Sequence, residues 1–336
     1  MYDLALPLLI GLIAVALAFD FLNGLHDAAN SIATVVATRL LSPLAAVGFA
    51  AFFNFAAYFL ALQWPSLHNV ADTIGTGLID AQLITPAVVF GALVGAMFWN
   101  IVTWLKGIPS SSSHALVGGI IGAGVAHAGV TGIQWGGLSK TLIAIVLSPM
   151  LGMFLAMLIM LLTSWLGVKA TAHGAERTFR GLHLVSAGAY SLGHGLNDAQ
   201  KTMGIIAVLL YSTGHLETFH VPNWVALCCY AAMGLGTLSG GWRIIETMGT
   251  RITKLSQHQG FSASAGGSIV LFGASWLGIP VSTTHTITGC VIGAGAARRA
   301  SSVRWGVAKS VAIAWVITIP ASAVVGAGFY LLTRLF

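Results

Sequence analysis

Two stretches of an otherwise apolar chain keep acids in matching places. Gly24-Leu-His-Asp-Ala-Ala-Asn30 carries Asp27. Gly195-Leu-Asn-Asp-Ala-Gln-Lys201 carries Asp198, 171 residues later. An ionisable side chain at membrane depth costs at least about 2.5–3.5 kcal/mol on insertion scales, so it marks a functional site unless something else explains it. Asp198 and Lys201 lie three apart on one helical face and can neutralise each other, but that leaves Asp27 unexplained. Asn30, Asn197 and Gln200 add amide oxygens beside the two acids. Carboxylate, amide and backbone oxygens together suit a hard cation such as Na⁺, or a proton. Asp20 shares the first apolar run, but its counterpart is Ser191.

A second pair of motifs has the chemistry of an anion site. Gly107-Ile-Pro-Ser-Ser-Ser-Ser-His114 answers to Gly278-Ile-Pro-Val-Ser-Thr-Thr-His285 at the same spacing. Glycine and proline break the chain, and proline pre-sets the first turn of a new helix. The free N–H groups and positive dipole end of that turn favour an anion. Ser111, Ser112 and Ser113, and Ser282, Thr283 and Thr284, add hydroxyls. Ordinary N-capping uses one hydroxyl per helix, so two or more in each motif remain for an oxyanion. Backbone broken at membrane depth is tolerated where it lines a cavity. His26, His114 and His285 are candidates for proton carriers or for hydrogen-bonded braces, and His194 also flanks an acid. His68, His173, His215, His220 and His258 lie in loops and take no role.

The elements that position these groups are membrane helices. Of the 336 residues, 57% are hydrophobic and 7% charged, against roughly 25% charged in soluble domains. Too few charges remain to cover a water-facing surface, so the fold class is an all-α polytopic membrane protein. Apolar segments run over 4–40, 43–63, 84–105, 110–126 and 137–162, then over 183–210, 223–240, 261–277, 280–297 and 306–333, many close to the roughly 20 residues that span a bilayer. The formal charge of +6 is scattered over loops; it reads as topology, not as nucleic-acid binding. The N-terminal residues lack a basic n-region and read as a retained helix. Cys228, Cys229 and Cys290 have no metal spacing and read as packing residues. Trp64, Trp99, Trp165 and Trp224 read as interfacial anchors.

The constant shift of 171 also relates Ile121-Gly-Ala-Gly124 to Ile292-Gly-Ala-Gly295 and Pro149 to Pro320, which indicates a duplication. Loop charges orient the copies. Arg39 has no basic counterpart in 211–222. The acids of 64–83 answer to Arg243, Arg251 and Lys254, and uncharged 127–135 answers to Arg298, Arg299 and Arg304. Each pair is basic on one side only. This predicts two inverted repeats of about five transmembrane segments each, residues 1–163 and 183–336, with broken or re-entrant helices at the substrate site. A cytoplasmic connector, 164–182, joins them, and both termini face outside. The run 241–258, with Trp242, Ile244, Ile245, Met248, Ile252 and Leu255 against Arg243, Glu246, Arg251 and Lys254, is amphipathic and reads as lying at the cytoplasmic face.

The paired acid motifs, N-G-L-H-D-A-A-N-S at 23–31 and G-H-G-L-N-D-A-Q-K-T-M-G at 193–204, together with the paired G-I-P motifs, resemble the inorganic phosphate transporter (PiT) family over nearly the whole chain. They look most like its low-affinity bacterial permeases; the stretch 242–261 is similar to the family as well. The resemblance implies a secondary transporter in the cell's inner membrane, acting as a homodimer and carrying phosphate or a metal–phosphate complex by symport with H⁺ or Na⁺, without a further cofactor. It implies that Ser111, Ser112, Ser113, Ser282, Thr283 and Thr284, with Gln200 and Lys201 nearby, hold phosphate. It implies that Asp27, Asn30, Asn197 and Asp198 hold the coupling cation. His26 departs from the asparagine of animal Na⁺-coupled members and resembles H⁺-coupled bacterial ones. A sulfate permease of the same family and a passive anion channel are the alternatives. A serine–histidine hydrolase needs one activated nucleophile rather than a symmetric pair, so the chain reads as no enzyme.

Overall fold

The computed structural model describes residues 4–335 apart from 68, 170, 241–243, 246 and 249–251. His68, Trp242, Arg243, Glu246 and Arg251 therefore lie outside the described residues. Eleven α-helices and no strand occur among the described residues: α1 (Leu6–Ala37), α2 (Pro43–Gln63), α3 (Asn69–Thr76), α4 (Pro86–Lys106), α5 (Ser112–Ala128), α6 (Trp135–Leu166), α7 (Ala172–Ser212), α8 (Asn223–Ser239), α9 (Gln257–Trp276), α10 (Thr283–Arg298) and α11 (Trp305–Thr333). Ten of them coincide with the ten apolar segments. The eleventh, α3, lies in a stretch read as loop. Helices α1, α2, α4, α6 and α11 are long and apolar enough to cross a membrane.

At the 171-residue shift α1 pairs with α7, α2 with α8, α4 with α9, α5 with α10 and α6 with α11. The two halves are interlocked rather than side by side: α5 packs on α11 and α10 on α6, while α1 packs on α8 and α7 on α2. Glycine makes these crossings close. A Cβ at Gly118 or Gly122 would strike the backbone of Ile319 or Ala323, and one at Gly289 or Gly293 that of Pro149 or Met153. The acid motifs use their glycines the same way, Gly24 against Met233 and Gly195 against Asn54. Apolar packing against lipid offers little gain, so membrane helices associate through such small-residue contacts.

Each G-I-P motif forms the tip of a helical hairpin. Gly107 and Gly278 take left-handed conformations, φ 63° and 66°. The next amides close back on the outgoing helix, Ile108 N–H on the Thr103 carbonyl at 2.9 Å and Ile279 N–H on that of Ala274 at 2.8 Å, as in a Schellman cap. Proline follows because it cannot continue the helix. Ser111 and Ser282 then start α5 and α10, their hydroxyls accepting from His114 and His285 N–H at 3.2 Å each. The first tip lies at mid-depth, with the Ser110 hydroxyl 2.7 Å from Thr318, midway along α11. The flanks of each hairpin meet on one side: Asp80 N–H donates to Gly132 O at 3.2 Å, and Arg304 N–H to Ile252 O at 2.9 Å. Each hairpin therefore enters and leaves on the same side, with its tip inside the bundle.

The stretch 164–182 is mostly helix, since α6 runs to Leu166 and α7 begins at Ala172. Two expectations change. Trp99 is no interfacial anchor: its indole N–H donates to Thr318 Oγ1 at 3.0 Å, level with the hairpin tip. Trp64, Trp165 and Trp224 are exposed, as anchors should be. Ile244, Ile245, Met248 and Ile252 are buried in the core, and the Thr247 hydroxyl donates to the Gly107 carbonyl at 3.1 Å. That stretch covers the first hairpin tip instead of lying on a surface. Its counterpart is α3, whose Thr73 donates to the Gly278 carbonyl at 2.7 Å.

Because Gly289 faces Pro149 backbone, Gly289→Val should lower the melting temperature in detergent by the equivalent of roughly 1–3 kcal/mol or more. Gly273→Ala, which meets nothing within 4 Å, should not lower it.

Candidate functional site: two acids between two hairpin tips

The acid motifs lie in the middle of α1 and α7, and the hydroxyl motifs begin α5 and α10. All four meet at one place. Asp27 Oδ2 accepts from the Ser112 hydroxyl of α5 at 2.9 Å and from the Thr283 hydroxyl of α10 at 3.4 Å. Thr283 also reaches Asp198 Oδ2 at 3.1 Å. A single hydroxyl thus stands between the carboxylates of the two halves. Asn30 Nδ2 donates to Thr284 at 2.9 Å and Thr283 at 3.3 Å. The Lys201 ammonium bonds Asp198, the Ser113 hydroxyl of the first hairpin and, at 3.0 Å, the Val281 carbonyl of the second. It ties both tips to one acid. Tyr190, two turns before Asp198 on α7, donates to the Thr283 carbonyl at 2.9 Å.

His26 and Asn197 occupy matching positions and do matching work. His26 Nδ1 donates to Asp27 at 2.7 Å, and Nε2 lies 3.1 Å from the Thr103 hydroxyl at the end of α4. Asn197 Nδ2 donates to the Ile279 carbonyl at 3.3 Å and Oδ1 accepts from Val281 N–H at 3.3 Å. Each ties its acid-bearing helix to the hairpin of its own half. His194 Nε2 lies 3.4 Å from Asp198 Oδ2, and its Nδ1 is 3.1 Å from Asn54 Oδ1.

Of the fifteen residues expected at the site, none is more than 6% exposed. Their placement is uneven. Ser112, Ser113, Thr283, Thr284, Asp27, Asn30, Asp198 and Lys201 form one connected cluster. Ser111 and Ser282 spend their hydroxyls on helix capping. Gln200, expected beside the anion, is turned away: its amide N–H₂ donates to the Leu67 carbonyl and its oxygen accepts from Val70 N–H at 3.1 Å. It anchors the start of α3, which in turn touches the second tip. His114 and His285 contact each other edge to face at 4.2 Å between centroids, and His285 stacks on Trp315 at 3.7 Å. They brace the junction of the two halves and touch neither acid. Tyr190, Thr103 and Asn54 are participants the motifs do not announce. Only helical spacing, as between Tyr190 and Asp198, hints at them.

The cluster fits a cation. Asp27, His194 and Asp198 each bring a ligand atom within 4.8 Å of the others. Oxygen separations of 2.9–3.4 Å among Ser112, Asp27, Thr283 and Asp198 match neighbouring ligands of an ion held at about 2.4 Å. Two carboxylates against one ammonium leave a net negative charge where two helix N-termini and their hydroxyls would receive an anion.

The model of the phosphate transporter family (PHO4) matches residues 23–326. A Rhizobium meliloti (strain 1021) protein named "Probable low-affinity inorganic phosphate transporter" is 62% identical over 328 residues, covering 97% of each chain. One of the same name from Bacillus subtilis (strain 168) is 40% identical, covering 99% of this chain and 100% of the relative. A solved structure titled "The sodium-dependent phosphate transporter" shares the fold, with a TM-score of 0.87 at 24% identity over 98% of this chain and 100% of that one. These relatives are named as transporters, not enzymes. The chain belongs to the phosphate transporter family.

Proposed function

We propose that this protein is a secondary active transporter that takes up inorganic phosphate by symport with a cation, H⁺ or Na⁺. The observation that carries the reading is the charge of the site. Asp27 and Asp198 already leave a net negative charge among the hydroxyls of both hairpin tips. An oxyanion cannot settle beside them at membrane depth without compensating positive charge. A cation held by the two carboxylates supplies it, so anion and cation bind together. This favours symport over a passive channel, where the anion would pass without the cation. Phosphate at neutral pH still carries a proton and can donate it in a hydrogen bond to a carboxylate. Sulfate has none to donate, which favours phosphate over sulfate. The names of the relatives point the same way. Whether the anion travels as a metal–phosphate complex is a further arm of the same test.

The reading includes a membrane topology. A re-entrant hairpin adds no net crossing, so three long helices per half remain, and an odd number inverts one half relative to the other. The acidic flank of the first hairpin and the basic flank of the second, where Lys254, Arg298, Arg299 and Arg304 line a cavity of about 470 Å³, then face opposite sides. The basic side is cytoplasmic, both termini are external, and the membrane is the cell's inner membrane. A homodimer completes the reading. Inverted halves with exchanged hairpins suit alternating access, with Thr73 of α3 reaching one tip and Thr247 the other.

Proteoliposomes given a Na⁺ or an H⁺ gradient, one at a time, should accumulate labelled phosphate under one of them; accumulation under neither refutes the symport. Excess sulfate should not compete. Asp27→Asn and Asp198→Asn should each abolish concentrative uptake, and Ser112→Ala and Thr283→Ala should weaken it. Adding or chelating divalent metal distinguishes free phosphate from the metal complex. Lys201→Met leaves Asp198 buried without its partner and should cost about 3–5 kcal/mol of stability. The double variant Asp198→Asn/Lys201→Met should regain most of the melting temperature but not the uptake. In a Cys228→Ala background, Asp80→Cys should react with an impermeant thiol reagent from outside cells, and Ser302→Cys only from the inner side.

A further inference from the structure

Asp20 is a buried acid that the site above leaves unused. It sits on α1 with 0% exposure, and neither carboxylate oxygen has a hydrogen-bond partner among the described residues. Three other oxygens share that state, Asn23 Oδ1, Thr202 Oγ1 and the Tyr230 hydroxyl, in side chains no more than 1% exposed. Asn23 and Thr202 are the side chains that approach the Asp20 carboxylate. Cys229 of α8 adjoins it on another side. Three helices therefore converge on one acid, and four side chains hold polar oxygens left unsatisfied.

Buried polar groups in folded proteins almost always have partners, and a buried carboxylate without one is the costliest exception. A proton on Asp20 would remove its charge and add one donor, which serves one oxygen at a time. A small metal ion would engage all the oxygens together. The set is one carboxylate, one amide carbonyl and hydroxyls, with a single formal negative charge. Hard oxygen ligands of that kind suit a hard ion, and one negative charge matches one positive charge. We propose that Asp20, Asn23 and Thr202 form a second site for a small hard monovalent cation of the Na⁺ class, separate from the one at Asp27 and Asp198.

Its position links it to transport. Asp20, Asn23, Asp27 and Asn30 follow one another at spacings of three, four and three, so they share one stripe of α1. Asp20 precedes Asp27 by two turns, about 10 Å. Thr202 directly follows Lys201 on α7. Occupation of the second site thus bears on both helices that carry the first. This link to transport rests on the symport reading; the binding itself does not.

The test uses the full chain purified in detergent, with radiolabelled Na⁺ as the probe and no phosphate present. Asp20→Asn keeps size and removes charge, and it should lower the number of Na⁺ bound per chain by one. An unchanged Na⁺ count in folded, monodisperse Asp20→Asn protein overturns the proposal. So does an infrared protonated-carboxyl band in the wild type that Asp20→Asn abolishes with the Na⁺ count unchanged, since that assigns a proton. Should Asp20→Asn fail to fold, Thr202→Val and Asn23→Ala keep the acid. Both should weaken the same Na⁺ binding, and wild-type affinity in both overturns the site. If proteoliposomes accumulate no phosphate under either gradient, the transport reading fails on its own while the Na⁺ count still decides this one.

Discussion

Two carboxylates from opposite halves share one hydroxyl, and the rest of the structure depends on making that arrangement tolerable inside an apolar bundle. Asp27 and Asp198 both reach Thr283. Like charges that close repel strongly in a medium of low dielectric. Lys201 offsets one of them, while hydroxyls from both hairpins and the His26 ring supply donors to the rest. Every one of those donors comes from a different place along the chain. The acids therefore require that α1, α5, α7 and α10 meet within a few ångströms of each other.

That meeting needs backbone ends at mid-depth, which a membrane interior penalises unless every N–H and C=O is satisfied. The hairpin tips meet the requirement locally and then remotely. Left-handed Gly107 and Gly278 let the outgoing helix close on itself, and Ser111 and Ser282 cap the returning one. The remaining tip carbonyls, of Gly107 and Gly278, take donors from Thr247 and Thr73, each in the opposite half. A tip is thus completed only when the other half is in place. The close glycine contacts of α5 on α11 and α10 on α6 work in the same direction. The exchange makes the two copies one folding unit, and any movement of a covering segment alters the hydrogen bonding of the opposite hairpin.

The sequence announces the parts of this design that repeat and hides those that do not. Hydropathy finds ten helices, since each buries or exposes a continuous apolar surface. It misses α3, whose eight residues carry polar groups toward a hairpin. The paired motifs identify the acids and the hydroxyls because residue type and spacing alone give those groups their chemistry. They do not tell which hydroxyl caps a helix and which faces an acid, a matter of one residue's rotation about the helix axis. Gln200 is the sharpest case. Its place beside Asp198 and Lys201 suggests the anion, yet one helical step turns it toward Leu67 and Val70. The run 241–258 looks amphipathic and interfacial for a related reason: a polar atom that satisfies a buried hairpin tip, such as the Thr247 hydroxyl, resembles those that face water. Trp99 misleads likewise, its N–H serving Thr318 rather than a membrane surface.

Departures from the two-fold symmetry carry the directional information. Asn30 and Lys201 occupy matching positions, but the amide donates only to hydroxyls of the second hairpin, whereas the ammonium joins both hairpins and one acid. Asp198 is therefore the carboxylate held by an ammonium beside the His194 ring, whereas Asp27 is bonded to the His26 ring and to two hydroxyls. A symmetric site would bind cation and anion equally from either half. The stripe of Asp20, Asn23, Asp27 and Asn30 lies on α1, while Lys201 of α7 keeps both hairpins joined to one acid.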